Sequence, residues 1–407
     1  MATLMAPSAT PSTSAPPSSP ASAPTALLPI YKRAPIELVR GDGVRLYDAE
    51  GRDYVDFTSG IAVNALGYGD AGLRRTLHDA AEGLIHVSNL FRTAPGEQLA
   101  QRLVELSFAD RVFLCNSGVE ANEGAFKFVR RWARALGSPA KHEIVALRGS
   151  FHGRLFASLA ATDRPAYRAP FRPLAGGVSI AERDLDSLAG ILATETVAAL
   201  VVEPIQGEGG VRVLDAGYLR ELRALTRERR IALVFDEIQC GLGRTGHLFA
   251  YQRVDVTPDV MTLAKPIAGG LPMGAVLMTE EIASTIQPGD HGTTFGGGPF
   301  VASVARYVLD RVADPRLLES VRTEGQWLGA ALRELATRSG RIRDVRGVGF
   351  IWGMDVHEPA ADVIARAREV GVLVVGAGDY TLRLLPPLVA ARADLEEGLR
   401  RLEQALG

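Results

Sequence analysis

Only four residues of the chain are lysine, Lys32, Lys127, Lys141 and Lys265; the other 41 of its 45 basic residues are arginine. Arginine stays protonated, so chemistry that needs a neutral amine has a short list of candidates. Lys265 is set apart by its surroundings, Thr262-Leu-Ala-Lys265-Pro-Ile-Ala-Gly-Gly-Leu-Pro-Met-Gly274. An apolar strand pattern ends on it, and proline and paired glycines follow at once. Burial disfavours the charged form of such an amine, and a neutral amine can form an imine with an aldehyde. A lysine capping a strand end is the plainer alternative. Asp236 closes the run Ile231-Ala-Leu-Val-Phe235. An acid at the end of a buried strand needs a partner; a protonated ring nitrogen is one, although for Asp236 taken alone a helix cap or a salt bridge is the better reading.

Two further segments add to these. In Cys115-Asn-Ser117-Gly118-Val119-Glu120 a strand runs into a small polar turn and a helix start, with Ser117 and Glu120 at capping-box spacing. Free backbone N–H groups at a helix start suit an anion such as phosphate, although any capped helix has them. In Gly149-Ser-Phe151-His152-Gly153-Arg154 an aromatic between glycines can stack on a planar ring, and the arginine can hold a carboxylate. Each segment alone has an ordinary structural explanation. Together they supply an imine lysine, a pyridinium partner, a phosphate cradle and a stacking aromatic, the requirements of pyridoxal phosphate.

A competing motif, Gly241-Leu-Gly243-Arg-Thr-Gly246, fits G-x-G-x-x-G. That fingerprint signifies a nicotinamide cofactor only where it opens a long helix with an acid ending the next strand. His247 to Thr257 shows no clear helical period, so a dehydrogenase is disfavoured. The seven histidines and two cysteines, Cys115 and Cys240, have no paired metal spacing, and no metal site is expected. Near-balanced charge, 45 basic against 47 acidic residues, gives no footprint for nucleic acid. No apolar run reaches the roughly 18 residues of a membrane helix. Two cysteines make no disulfide framework, which suits a reducing, cytoplasmic compartment.

The elements that must position these residues follow from the alternation of pattern. Apolar runs at 111–115, 143–147, 198–203, 231–235, 260–263 and 275–278 read as strands buried on both faces, and the intervening segments as helices, the first over 122–135. Such alternation predicts an α/β fold with a mostly parallel sheet, whose ligands sit beyond the carboxyl ends of the strands. Ser117, Phe151, Asp236 and Lys265 all fall at those ends. Short β patterns at 44–47 and 54–57 precede this region. Two helices, a glycine-rich turn at 346–349, short strands and a last helix follow it. Of the first 26 residues, 23 are Ala, Pro, Ser or Thr, and residues 1–28 read as a disordered tail. That tail has neither the arginines of a mitochondrial presequence nor the apolar core of a secretory signal.

From Tyr31 onward the sequence resembles the class III, or ω-, aminotransferases of pyridoxal-phosphate fold type I. The segment Asp236-Glu-Ile-Gln239-x-Gly-x-Gly-Arg-Thr-Gly246 carries the resemblance and accounts for the paired glycines. Within the class the similarity is greatest to the acetylornithine aminotransferase group. It rests on Gly60 to Gly67, Ser88-Asn-Leu-Phe91, Cys115 to Gly118, Ser150 to Arg154, Val202-Glu-Pro-Ile-Gln-Gly-Glu208-Gly, and His291-Gly-Thr-Thr294-Phe-Gly-Gly. The resemblance implies a seven-stranded sheet in a large domain, residues 74–300, and a smaller α+β domain from 29–73 and 301–407. It implies that Lys265 carries the cofactor as an imine, that Asp236 pairs with the ring nitrogen, and that Gln239 contacts the ring hydroxyl. Phe151 would stack on the ring, and Ser117, Gly118 and Val119 would bind the phosphate. Thr294 would reach the phosphate of a second subunit's cofactor, implying a homodimer with shared active sites. Arg154 and Arg383 would bind substrate carboxylates, with Glu208 covering Arg383 in one half-reaction. The expected donor and acceptor are N-acetyl-L-ornithine and 2-oxoglutarate; other ω-amines, such as ornithine or succinyl-diaminopimelate, are alternative donors. A silent binding protein on the same fold is disfavoured by the intact lysine. Three positions depart from the family pattern: Gly69-Asp70 replaces a histidine-proline pair, Gly298 an asparagine, and Leu155 a threonine.

Overall fold

The computed structural model describes residues 26–138 and 140–407; most of the tail expected at 1–28 therefore lies outside the described residues. A seven-stranded sheet runs in the order Arg111–Cys115, Gly274–Met278, Val260–Leu263, Ala232–Asp236, Val197–Val202, Glu143–Leu147, Val178–Ala181. Six of these strands point the same way, and only Gly274–Met278 runs against its neighbours. The strands bury both faces, which is why they appear in the sequence as continuous apolar runs. Val234 packs with Val201 and Val260 against the helix Gly118–Ala135. Its neighbours Leu233 and Phe235 pack on the opposite face with Leu219 and Leu222 of the helix Ala216–Glu228.

Several elements differ from the sequence expectation. The first helix of the sheet region begins at Gly118, four residues earlier than 122, because Ser117 caps it from an extended backbone. The seventh strand, Val178–Ala181, is short and only half-buried over most of its length, and so gives no apolar run. The stretch after Gly246 holds a helix, Ala250–Val254, of five residues, too short to show a period.

The N-terminal strands Leu38–Asp42, Arg45–Asp48 and Asp53–Asp56 form an antiparallel sheet, and Val372–Leu373 adds a fourth strand parallel to the last. A second small sheet is ordered Ile342–Val348, Ile351–Val356, Thr381–Leu384, Val375–Gly376, and carries Arg383. The C-terminal part also has a helix at Ala360–Glu369 that the sequence pattern did not single out. The helices Pro299–Val312 and Pro315–Ser339 both start on proline, whose missing N–H costs nothing at that position. The first of them packs on Ala71–Glu82 and Ala94–Leu106. Asp70, one of the departures, caps Ala71–Glu82 by accepting from Leu73 N at 2.7 Å; it also accepts from Tyr307 Oη at 2.7 Å and Arg311 Nη1 at 3.0 Å. Among the described residues no helix is long and apolar enough to cross a membrane, and no group of three or more His, Cys, Asp or Glu could hold a metal ion.

Candidate active site

Five of the strand ends and the loops leaving them close around one cavity of about 460 Å³. Lys265, Asp236, Phe151, Ser117, Gly118, Val119, Gln239, Arg154 and Glu208 all line it, so the structure brings together most of the residues singled out in the sequence.

Lys265 opens a short 3₁₀ turn, Lys265–Ala268, with φ of 41°, a left-handed conformation uncommon for a side chain of this size. The turn projects the amine inward from the end of Val260–Leu263. Burial lowers its pKa, against the opposing pull of Asp236 and with help from Arg383. The amine is thus biased toward the neutral form that imine chemistry requires.

Asp236 is 4 % exposed and is held from three sides. Its Oδ2 accepts from Asn122 Nδ2 and His152 Nδ1, both at 2.8 Å, and its Oδ1 accepts from Ile238 N at 3.1 Å. Asn122 is fixed in turn: its Nδ2 donates to His152 O at 2.7 Å, and its Oδ1 accepts from Thr262 Oγ1 at 2.9 Å. Burial alone would lower the His152 pKa, but the contact with Asp236 outweighs it and the net shift is upward. A carboxylate fixed in this way is a pre-oriented partner for a cation in the cavity. Neither Asn122 nor His152 received a role from the sequence. Asn122 sits one turn inside a helix and His152 beside the aromatic, and nothing in their spacing tied either to an acid 84 or more residues away.

At the phosphate-type end, Ser117 Oγ accepts from Glu120 N at 3.3 Å. The Glu120 carboxylate does not return to Ser117 N as a capping box requires. It accepts from Asn116 N at 2.8 Å and from Ser117 Oγ at 3.1 Å. The 18-residue helix therefore starts with the N–H groups of Gly118 and Val119 beside the cavity. Gly153 presses against the same turn: a Cβ there would lie 2.3 Å from Val119 Cγ2. Phe151 N donates to Glu203 Oε2 at 2.9 Å, which anchors the aromatic loop. Burial pushes the Glu203 carboxyl up to about 8.

Three arginines approach the substrate side. The Arg154 guanidinium lies 3.8 Å from the centre of the Tyr167 ring. Arg383, 1 % exposed, donates to Glu208 Oε2 at 3.0 Å, Gln239 Oε1 at 3.0 Å and Gly376 O at 3.2 Å. Glu208 stands in the turn of the hairpin Ile205–Gln206 and Arg212–Val213. Arg164 reaches Glu208 from the other side through the main-chain oxygen. Thr294 is the exception: it lines a different cavity with Ser88, Asn89, Leu90 and Phe91, away from Lys265 within this chain.

A buried amine, a fixed carboxylate, a helix start and an aromatic around one cavity fit pyridoxal phosphate, whose aldehyde, ring nitrogen, phosphate and ring face each need one of them. The family model described as Aminotransferase class-III matches residues 29–406, and the chain belongs to that family. An acetylornithine aminotransferase from Xanthomonas campestris is 46% identical over 93% of this chain and 95% of its own. A mitochondrial acetylornithine aminotransferase from Alnus glutinosa is 44% identical over 99% of this chain and 90% of its own. Among solved structures, the N-acetylornithine aminotransferase from Stenotrophomonas maltophilia has a TM-score of 0.82 at 38% identity, over 92% of this chain and 96% of that one. The ornithine aminotransferase from Toxoplasma gondii ME49 has a TM-score of 0.90 at 29% identity, over 94% and 92%. The protein is thus a fold type I aminotransferase of class III, and pyridoxal 5'-phosphate is its cofactor.

Proposed function

We propose that the chain transfers the terminal amino group of N-acetyl-L-ornithine to 2-oxoglutarate, reversibly, giving N-acetylglutamate semialdehyde and glutamate. The relatives named above support the donor. The observation that carries the proposal is the ion pair between Glu208 and the buried Arg383, in contact with the cavity that Lys265 enters.

When bound, pyridoxal phosphate supplies an aldehyde for imine exchange and a protonated ring that accepts electron density from the carbon losing its proton. Lys265 would bond that aldehyde, and as a neutral amine it would also carry a proton within the cavity. Asp236, steadied by Asn122 and His152, would keep the ring nitrogen protonated. Ser117, Gly118 and Val119 would bind the phosphate, and Phe151 would cover the ring face. Gln239 Oε1 accepts from Arg383, so its Nε2 would be the end that donates to the ring hydroxyl.

The two substrates are unlike. Glutamate and 2-oxoglutarate carry two carboxylates, whereas acetylornithine has one carboxylate and a neutral amide. Arg154 and Arg383 suit the first pair. With acetylornithine, Arg383 would be left as an unpaired buried cation unless Glu208 covers it. Glu208 paired with Arg383 suits the acetylornithine half-reaction, and its departure suits the other.

The proposal extends to a homodimer in which Thr294 of one subunit serves the site of the other, supported by the exposed Leu90, Phe91 and Phe295 close to Thr294. It divides the chain into 74–300 and 29–73 with 301–407, supported by the sheet that Asp53–Asp56 shares with Val372–Leu373. Two buried free cysteines suit a reducing cytoplasm. A panel of amino donors with 2-oxoglutarate, including acetylornithine, ornithine and succinyl-diaminopimelate, tests the substrate; preference for a donor with a free α-amine would reject it. Lys265→Ala tests the centre: it should retain weak cofactor binding and lose turnover, and near-normal turnover would overturn the assignment.

A further inference from the structure

We propose that Arg164 is the second seat of the Glu208 carboxylate, the position it takes while Arg383 binds the distal carboxylate of glutamate or 2-oxoglutarate. The inference rests on the Glu208 switch proposed above and specifies where the displaced carboxylate goes. An anion leaving a buried arginine inside a cavity loses its counter-charge and is costly unless another cation receives it.

Arg164 meets the requirement by position. Its Nη2 donates to the main-chain oxygen of Glu208 itself. A guanidinium touching a glutamate's own carbonyl lies within reach of that glutamate's side chain by rotamer change alone, with no movement of the hairpin. Arg383 holds the carboxylate at 3.0 Å while Arg164 holds the main-chain oxygen of the same residue, so Glu208 touches two cations and its side chain is paired with one. Among the described residues Arg164 forms no ion pair with any carboxylate, in contrast to most buried or half-buried arginines here. Its chain neighbour Asp163 is already engaged, by Gly149 N at 2.8 Å and Arg148 Nη1 at 3.4 Å. The Arg164 charge is also one of the influences that lower the Arg383 pKa, as two nearby cations require.

The surrounding segment is built for such a role. Arg164 caps the short helix Pro165–Arg168, which carries Tyr167, and Arg154 rests on the Tyr167 ring at 3.8 Å. Residues 163 to 167 therefore fasten three parts of the site: Gly149 ahead of the aromatic loop, Glu208, and Arg154. Arg164 is a specificity-determining residue that acts through Glu208.

The test is a double-mutant cycle on the holoenzyme, with the two half-reactions measured in single turnovers and 2-oxoglutarate affinity measured on the aminated form. Arg164→Gln should lower the ratio of 2-oxoglutarate to acetylornithine efficiency by about twofold to fivefold, the scale of one partly exposed ion pair. Arg164→Lys should restore most of the ratio. In a Glu208→Ala background the further change Arg164→Gln should leave the ratio unaltered, because no carboxylate remains to be seated. If Arg164→Gln weakens both half-reactions equally, Arg164 only holds the loop and the second seat is refuted. If its effect on 2-oxoglutarate persists in the Glu208→Ala background, Arg164 attracts the substrate directly and the proposal again fails, with the switch intact. If Glu208→Ala itself depresses both halves alike, the switch has failed, and the second seat with it.

Discussion

Replacing Glu208 with alanine should move the two half-reactions in opposite directions, and the structure sets the scale. Arg383 is 1 % exposed and makes three contacts, of which only Glu208 carries charge. Removing one member of a buried ion pair costs about 3–5 kcal/mol in general. Here the carboxylate side chain is 26% exposed, and Gln239 and Gly376 keep two acceptors on the guanidinium, which places the cost nearer ~2 kcal/mol. That penalty falls when acetylornithine seals the cavity against a bare cation, so this half should slow by roughly 30-fold. For 2-oxoglutarate the sign reverses. The native protein must break the Glu208–Arg383 contact before its second carboxylate can dock, and the variant need not. A gain of ~1 kcal/mol, about fivefold, is the corresponding scale. The ratio of the two should shift by about 150-fold. Stopped-flow spectra of the cofactor, taken separately for acetylornithine with one cofactor form and for 2-oxoglutarate with the other, read each half directly. Equal changes in both halves would refute the switch, and so would any gain on the acetylornithine side.

Asp236→Asn removes the charge and turns an amide N–H toward a donor that the carboxylate accepted from, so kcat should fall by about 100-fold or more and the melting temperature should fall as well; an unchanged kcat would contradict the pairing. Gly153→Ala places a Cβ 2.3 Å from Val119 Cγ2 at a φ of 134°, so cofactor affinity and melting temperature should both fall, by an amount reflecting about 2–4 kcal/mol of strain; a titration and a melt that match the native protein would overturn it. Burial raises the Glu203 carboxyl from 4.5 to about 8, so the folded protein keeps a proton that the unfolded chain has released. Stability of the cofactor-free protein should therefore fall as pH rises from about 4.5 to about 8, and Glu203→Gln should flatten that slope; an identical pH profile would show that Glu203 is ionised throughout.

The sequence made visible those parts of the site that depend on one segment at a time. Lys265, Asp236, Ser117 and Phe151 each follow a strand whose apolar run is unmistakable, so their strand-end placement was readable without coordinates. The strand at Val178–Ala181 was not, because an edge strand buries too little to need such a run. Contacts across the sheet were equally hidden. The triangle of Asp236, His152 and Asn122 joins three segments that no local pattern relates. Arg164 and Tyr167 carried no motif in the sequence, and it is the fold that sets them against Glu208 and Arg154. Thr294, named from family likeness, lines a cavity other than the one Lys265 enters.

The paired glycines that imitate a dinucleotide fingerprint do a different job, and it bears on how the site can work. The loop after Asp236 carries Gln239 to the cavity and then turns through Gly241 and Gly243. It delivers Arg244 into the interior, where burial lowers its pKa to about 9. That guanidinium donates to Phe350 O and Pro386 O, and Phe350 N donates back to Arg244 O at 2.9 Å. Gly349 is needed at the crossing, since a Cβ there would meet Arg244 O at 2.5 Å. Pro386 lies three residues beyond Arg383, and Arg383 is bonded to Gln239 of the same loop. The segment that bears Asp236 is therefore tied twice to the strand that bears Arg383 and to the residues just beyond it. A site so joined does not accommodate two unlike substrates by opening and closing between those segments. In the proposed reading the adjustment falls to a side chain, that of Glu208, in a hairpin turn that both Arg164 and Arg383 touch.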